Sequence, residues 1–210
     1  ELGYRLRLLA VPDHYRTTPG FEVLNYFKVT ETGTVISMLR TGQLDIATIE
    51  PKFAAEVESA GLEIITNQAT RGSGLPFGGL FPGRDTCDAT VPWVGGCTSE
   101  EMLGEVPTKI RRALSIAIDR DMIIDKILLG YGQKTIANFA NLNTQAAWWN
   151  PDWAPYEYDL PLAKQLLTEA GYPNCFEFRL YTNSGYLTGL DIGEAAASAW
   201  EQDLGCTVNR

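Results

Sequence analysis

One histidine in 210 residues, His14, leaves this chain almost without the side chain that most often serves as general base or metal ligand. The usual catalytic arrangements are missing too: there is no GxSxG elbow, no Walker loop and no HExxH pair. The glycine-rich GSGLPFGG at 72–79 has neither the spacing nor the following lysine of a phosphate loop. We read the chain as a non-enzyme. Basic residues are scarce as well, 17 Lys and Arg against 26 Asp and Glu, for a formal net charge of -9. Binding to nucleic acid or anionic lipid needs a basic surface, so both partner classes are excluded. No apolar run approaches the roughly 18 to 20 residues of a membrane span. The opening ELGYRLRLLAV lacks a signal peptide's long apolar segment and small-residue cleavage site, so any membrane association runs through an anchor outside these residues.

Cysteines are few, and Cys87, Cys97, Cys175 and Cys206 form no CxxC pair and have no histidine-rich surrounding. This argues against zinc, and no metal or other cofactor is expected. Cys87 and Cys97 bracket DATVPWVGG, a turn-rich loop without a core of its own, where a disulfide is expected to contribute roughly 2.5 to 3 kcal/mol by the chain-entropy estimate. Cys175 and Cys206 each begin a run of strand character, CFEFRLYT and CTVN, separated by enough chain for a helix. If those strands are parallel neighbours, the second pair meets; otherwise they are buried thiols. Disulfides would place the protein in an oxidising, extracytoplasmic compartment.

What is present is an ordinary globular composition, 45% hydrophobic and 20% charged, sufficient for one sizeable core or two modest ones. Helices and strands alternate. Tyr4, Leu6 and Leu8 suggest an opening strand, EVLNYFKVT a second, and TGTVISMLRTG a short helix with Val35, Met38 and Leu39 inward and Gly42 as its stop. LDIATI and LEIITNQ have strand character on either side of the helix KFAAEVESAG. This alternation predicts a mixed α/β (α+β) layer of helices against a sheet. Residues 70 to 107, rich in Gly and Pro, break the rhythm. In IRRALSIAIDRDMIIDKILLGYG, at 110–132, apolar residues recur at Ile110, Ala113, Leu114, Ala117 and Ile118. Continuing that face would bury Asp121 and Asp125, so the stripe ends near Asp119 and restarts at Ile123, with Asp119 as N-cap and Gly130 as stop. After a long aromatic and polar stretch, DLPLAKQLLTEAGYP reads as a helix between Asp159 and Gly171; strand, helix and strand follow.

Several of these stretches, in this order, resemble the family 5 extracellular solute-binding proteins, the oligopeptide-, dipeptide- and nickel-binding components of ABC importers. MLRTGQLDIATIEP is similar to the family's helix, glycine and Asp-containing strand. The Arg-Ala-Leu helix with its Ala-Ile-Asp-Arg turn, at 112–120, resembles the most recognisable family signature. YEYDLPLAKQLLTEAGYPNCFEFRLYT resembles the Tyr-Asp-Pro segment, Ala-Lys helix and strand, although Leu160 stands before Pro161 where the family has proline directly after Asp. AWEQDLGCTVN resembles the helix leading into a Leu-Gly strand.

The resemblance implies a periplasmic-binding-protein type II-like fold with parts of two lobes joined at a hinge. Residues 1–75 would be the later part of the first lobe, 76–106 a hinge crossing with the Cys-bracketed loop, and 107–210 the opening part of the second, making a central segment of a longer protein. Asp119, Arg120 and Asp121 are then scaffold. The ligand would be a peptide or other small solute, and the partners ABC permease subunits, outside the cytoplasm. Three stretches would line the cleft. Thr48, Ile49 and Glu50 end a strand there, with Glu50 facing a ligand amine or merely solvent. Leu75, Phe77 and Phe81 lie in the crossing, where core packing is the competing reading for both phenylalanines. Trp148 and Trp149, with Trp153 close by, offer pocket walls or pack their own loop. A non-transport structural or interaction subunit of a cell-surface assembly is the alternative function, and a cytoplasmic regulator using the module as a sensor is a third, favoured if the cysteines are reduced.

Overall fold

Arginine and leucine alternate at the start of RLRLL, and VLNYF is rich in the β-branched and aromatic residues that suit a pleated surface; the two segments pair antiparallel as β1 (Arg5–Leu9) and β2 (Val23–Phe27). These coordinates, a computed structural model, describe residues 5–66, 73–134, 136, 150, 152, 154–183 and 188–210. Two compact units emerge: Glu1–Ile49 with Phe53–Ile64, and Glu50–Lys52 with Ile65–Arg210. Tyr4 of the expected first strand lies outside the described residues.

In the first unit the register sets Leu6 opposite Tyr26 and Leu8 opposite Leu24, so those four share a face. Arg5 and Arg7 take the other face, where the Arg5 guanidinium donates to Asn25 Oδ1 at 2.8 Å and lies over the Phe27 ring. Helix α1 (Thr32–Arg40) buries Val35 and Ile36, while Met38 and Leu39 are half-buried. It stops at Gly42, whose φ of 71° lets its N–H reach the Leu39 carbonyl and that of Gln43 reach Met38. Helix α2 (Ala54–Ser59) buries Ala54 and Val57. LDIATI and the described part of LEIITNQ form no strand, contrary to their character. Strand propensity is a preference for packing against neighbours. Neither segment has a ladder partner among the described residues, and Ile46 is 87% exposed.

The second unit holds the larger core. A capping box opens α3 (Ser99–Met102): the Thr98 hydroxyl accepts from Glu101 N–H while the Glu101 carboxylate accepts from Thr98 N–H. Helix α4 (Glu105–Ile116) turns Ile110, Ala113 and Leu114 into the core, as its periodicity requires. Burying a side chain such as Ile110 or Leu114 is worth about 1.5 to 3 kcal/mol, so packing holds this helix and local chemistry only sets its end.

That end explains the change of phase. The last four carbonyls of a helix have no partner within it. Here Ala113 accepts from Ala117 N–H, Leu114 from the Trp200 indole at 2.8 Å, Ser115 from Arg120 Nη1 at 3.0 Å, and Ile116 from Asp159 N–H at 2.9 Å. With its carbonyls satisfied, α4 stops and the chain restarts at α5 (Arg120–Met122), where Asp119 Oδ1 accepts from Met122 N–H at 2.9 Å. A π-helical turn over Ile123–Ile127 follows, closed by Leu128 N–H to the Ile123 carbonyl, and Gly130 ends it. Asp121 and Asp125 consequently point to solvent while Ile123 is buried.

Helix α6 (Leu160–Glu169), capped by Asp159 Oδ1 on Leu162 N–H, packs along α4. Strands β3 (Glu177–Arg179) and β4 (Thr207–Asn209) run parallel, with Phe178 opposite Val208 and both buried, and α7 (Gly189–Leu204) crosses between them. Cys175 and Cys206, just before the two strands, are disulfide-bonded with Cα atoms 4.8 Å apart, as parallel pairing demanded. Cys87 and Cys97 are bonded as well. The loop between them contributes Trp93 and Val94 to the core.

Candidate functional site

A short 3-10 turn, Pro51–Phe53, brings together one of the sequence-predicted site residues and two that sequence reasoning missed. Glu50 is half-buried, and its carboxylate takes the Lys52 ammonium at 2.6 Å. Lys52 also lies 3.8 Å from Asp191, in the first turn of α7. The hydrogen bond from Lys52 to Glu50, reinforced by the charges of Glu50 and Asp191, raises the lysine above its ordinary value against a smaller opposing effect of desolvation. Asp191 is well placed, since the amino end of a helix favours negative charge.

The surroundings follow from the fold. Segment 180–183 leaves the carboxyl end of β3, and α7 returns so close to it that any Cβ on Gly193 would collide with the Thr182 side chain. Tyr181 in this segment is 81% exposed. In open α/β sheets ligands bind outside the carboxyl ends of the strands, where this segment and the amino end of α7 lie. The arrangement sets one cation between two carboxylates.

The other predicted residues are placed differently. Thr48 is exposed and Ile49 half-buried; both belong to the first unit, whereas Glu50 belongs to the second. Leu75 and Phe77 pack against the core of the second unit. Phe77 starts an aromatic chain, with ring centroids 5.5 Å to Trp93, 5.3 Å from there to Phe178 and 5.4 Å on to Trp200. Phe81 is 49% exposed. Trp148, Trp149 and Trp153 lie outside the described residues. The Asp119–Arg120–Asp121 turn is occupied by structural contacts: Asp119 caps α5, Arg120 donates to Ser115 and Ile118 carbonyls, and Asp121 pairs with Lys134, which also holds Glu157. Burial pushes the Arg120 guanidinium down from its ordinary value, with the Glu157 charge opposing.

Among the described residues no three His, Cys, Asp or Glu side chains converge on a metal site, and no helix is long and apolar enough to cross a membrane. Of the missed residues, Lys52 had a signal in its position two after Glu50. Asp191 had only its place behind Thr188 at the start of a helix.

The model of the bacterial extracellular solute-binding proteins, family 5 (middle), matches residues 1–209. The chain belongs to this family. Its mixed α/β fold is that of the type II periplasmic binding proteins, and the family comprises substrate-binding proteins of the periplasm or cell exterior. Heme-binding protein A of Haemophilus influenzae is 41% identical over 70 residues, 33% of this chain and 12% of its own length. Oligopeptide-binding protein AppA of Bacillus subtilis is 23% identical over 207 residues, 90% of this chain and 33% of its own. Its structure in complex with a nonapeptide matches at a TM-score of 0.64 with 19% identity, covering 100% of this chain and 40% of that one. The periplasmic binding protein AgaA of A. tumefacien R10, in complex with agropinic acid, gives a TM-score of 0.65 at 22% identity, covering 100% and 38%. The chain therefore spans 12% to 33% of these curated relatives and 38% to 40% of these solved chains.

Proposed function

We propose that this chain is part of an extracytoplasmic solute-binding protein that captures a peptide between two lobes and delivers it to the permease of an ABC importer. The match to the family 5 model across residues 1–209 carries this reading. The two disulfides support a location outside the cytoplasm, where such bonds persist. In this reading residues 1–75 are first-lobe, 76–106 form the crossing, and 107–210 open the second lobe. The stretches that would contribute ligand contacts in this reading are Thr48, Ile49 and Glu50, then Leu75, Phe77 and Phe81, and Trp148 and Trp149. A peptide's amino terminus takes the place of Lys52 on Glu50. That exchange replaces one cation by another on the same carboxylate, so the Glu50 charge stays paired.

AppA is a relative matched over 90% of this chain, and its name as an oligopeptide-binding protein and its complex with a nonapeptide favour a peptide as the solute. The test is native mass spectrometry of the full-length protein purified without denaturant, followed by denaturing intact mass. Heterogeneous adducts of peptide mass that vanish on denaturation are expected, and a Glu50→Gln variant should retain fewer of them. A homogeneous mass with no adduct, together with no heat of binding for mixed peptides, would move the weight to a structural subunit.

A further inference from the structure

The two carboxylates that share the Lys52 ammonium are not equivalent. The Glu50 side chain is 17% exposed and the Asp191 side chain 48%, and Lys52 stands 2.6 Å from the sheltered one and 3.8 Å from the open one. A sheltered charge without a partner is costly, whereas water can serve an exposed one. The lysine therefore rests on the carboxylate that needs it more. Its hydrogen bond to Glu50 holds the ammonium above its ordinary value, so it is a full cation. All three residues belong to the second unit.

A ligand ammonium aimed at Glu50 meets this lysine first. Two cations on one carboxylate repel each other, so Lys52 has to give way. It has the freedom to do so, because its side chain is 52% exposed on a flexible four-carbon stem, while Pro51 and its 3-10 turn constrain the backbone between it and Glu50. A shift of about 1 Å toward Asp191 brings the ammonium to the charge-assisted hydrogen-bond distance of roughly 2.7 to 2.9 Å. Asp191 is suited to receive it. It lies in the first turn of the 16-residue α7, where the helix end favours the ionised carboxylate.

On the reading above, in which Glu50 takes a peptide's amino terminus, we propose that Lys52 is a resident cation that keeps Glu50 paired until the ligand's amino group arrives, and that Asp191 is the carboxylate onto which Lys52 then moves. Asp191 is thus a positioning residue that acts through Lys52. The device sets specificity, since a solute with a blocked amino terminus brings no cation to displace the lysine and leaves Glu50 occupied.

The experiment is calorimetry on the full-length protein with a lysine-free library of random nonapeptides bearing free amino termini, and with the same library N-acetylated. Wild type should bind the free-amine library more tightly than the acetylated one. Lys52→Met, which removes the competitor, should tighten binding of the free-amine library by about two- to fivefold, the range of an exposed ion pair. Asp191→Asn should weaken it by about two- to fivefold, and Asp191→Glu, which keeps a carboxylate, should bind like wild type. The double variant Lys52→Met, Asp191→Asn decides the mechanism. A carboxylate that attracts the ligand only through its field costs the same with or without Lys52, whereas a landing point for the lysine matters only while the lysine is there. The Asp191→Asn loss should therefore shrink by at least about half in the Lys52→Met background. Both side chains are about half exposed, so their replacement leaves the core intact. Equal losses in the two backgrounds, weaker binding by Lys52→Met, or equal wild-type affinity for the two libraries would overturn the inference and leave peptide capture standing. Wild-type protein that binds neither library would remove the peptide reading, and this proposal with it.

Discussion

Replacing Trp200 by Phe tests the account of how α4 ends. The Trp200 indole is 4% exposed and its N–H donates to the Leu114 carbonyl, on a residue 1% exposed, at 2.8 Å. Phenylalanine keeps most of the ring packing but deletes the donor, leaving a buried acceptor unsatisfied at a cost of about 1 to 3 kcal/mol. The smaller ring adds a void worth about 1 kcal/mol. Together these give a loss of about 2 to 4 kcal/mol. Trp93→Phe is the matched control: it creates a similar void, and its indole N–H donates at 2.9 Å to the carbonyl of Gly78, an exposed residue where water can substitute. That hydrogen bond should therefore cost only its net value, about 0.5 to 1.5 kcal/mol. Urea unfolding followed by far-ultraviolet circular dichroism measures both variants, compared only where the slope against denaturant is unchanged. If Trp93→Phe proves as damaging as Trp200→Phe at equal slope, the helix-end carbonyl is not what Trp200 serves.

Two further outcomes are expected. Asp119→Ala should destabilise the protein by about 1 kcal/mol through loss of the α5 cap, while Asp119→Asn, which can still accept from Met122 N–H, should cost far less; equal losses in urea titrations would rule out capping. Stability in acid should depend on Arg210, whose hydrogen bonds hold the Glu201 carboxyl below its ordinary value of 4.5. A carboxyl that binds its proton more weakly when folded stabilises fully above the unfolded value and loses that contribution as pH falls through the folded one. Wild-type stability should therefore fall more steeply below about pH 4.5 than that of Arg210→Ala, and parallel pH profiles would refute the pairing.

What the sequence made legible was local chemistry. The stops at Gly42 and Gly130 and the cap at Asp119 depend on residues within a few positions of one another, and all three stand where the pattern put them, while Asp159, expected only near the start of its helix, proves to be its cap. The Cys175–Cys206 bond was legible only conditionally, because it required knowing that β3 and β4 are neighbours. LDIATI failed as a strand for the same reason: a strand is a relation between two segments, and its own residues state only half of it. Glu50 was visible as a carboxylate ending an apolar run, yet its link through Lys52 to Asp191 depends on where α7 begins in space. The Cys87–Cys97 loop shows the limit best. It has no periodicity, so it reads as a connection needing a staple. In the fold Trp93 is a core residue, held by its indole on Gly78 and by the Arg111 guanidinium on its carbonyl at 2.7 Å. Anchoring by single side chains leaves no repeating signature. A segment can therefore be irregular in sequence and still be fixed, provided that one large residue finds a cavity and the backbone around it finds donors.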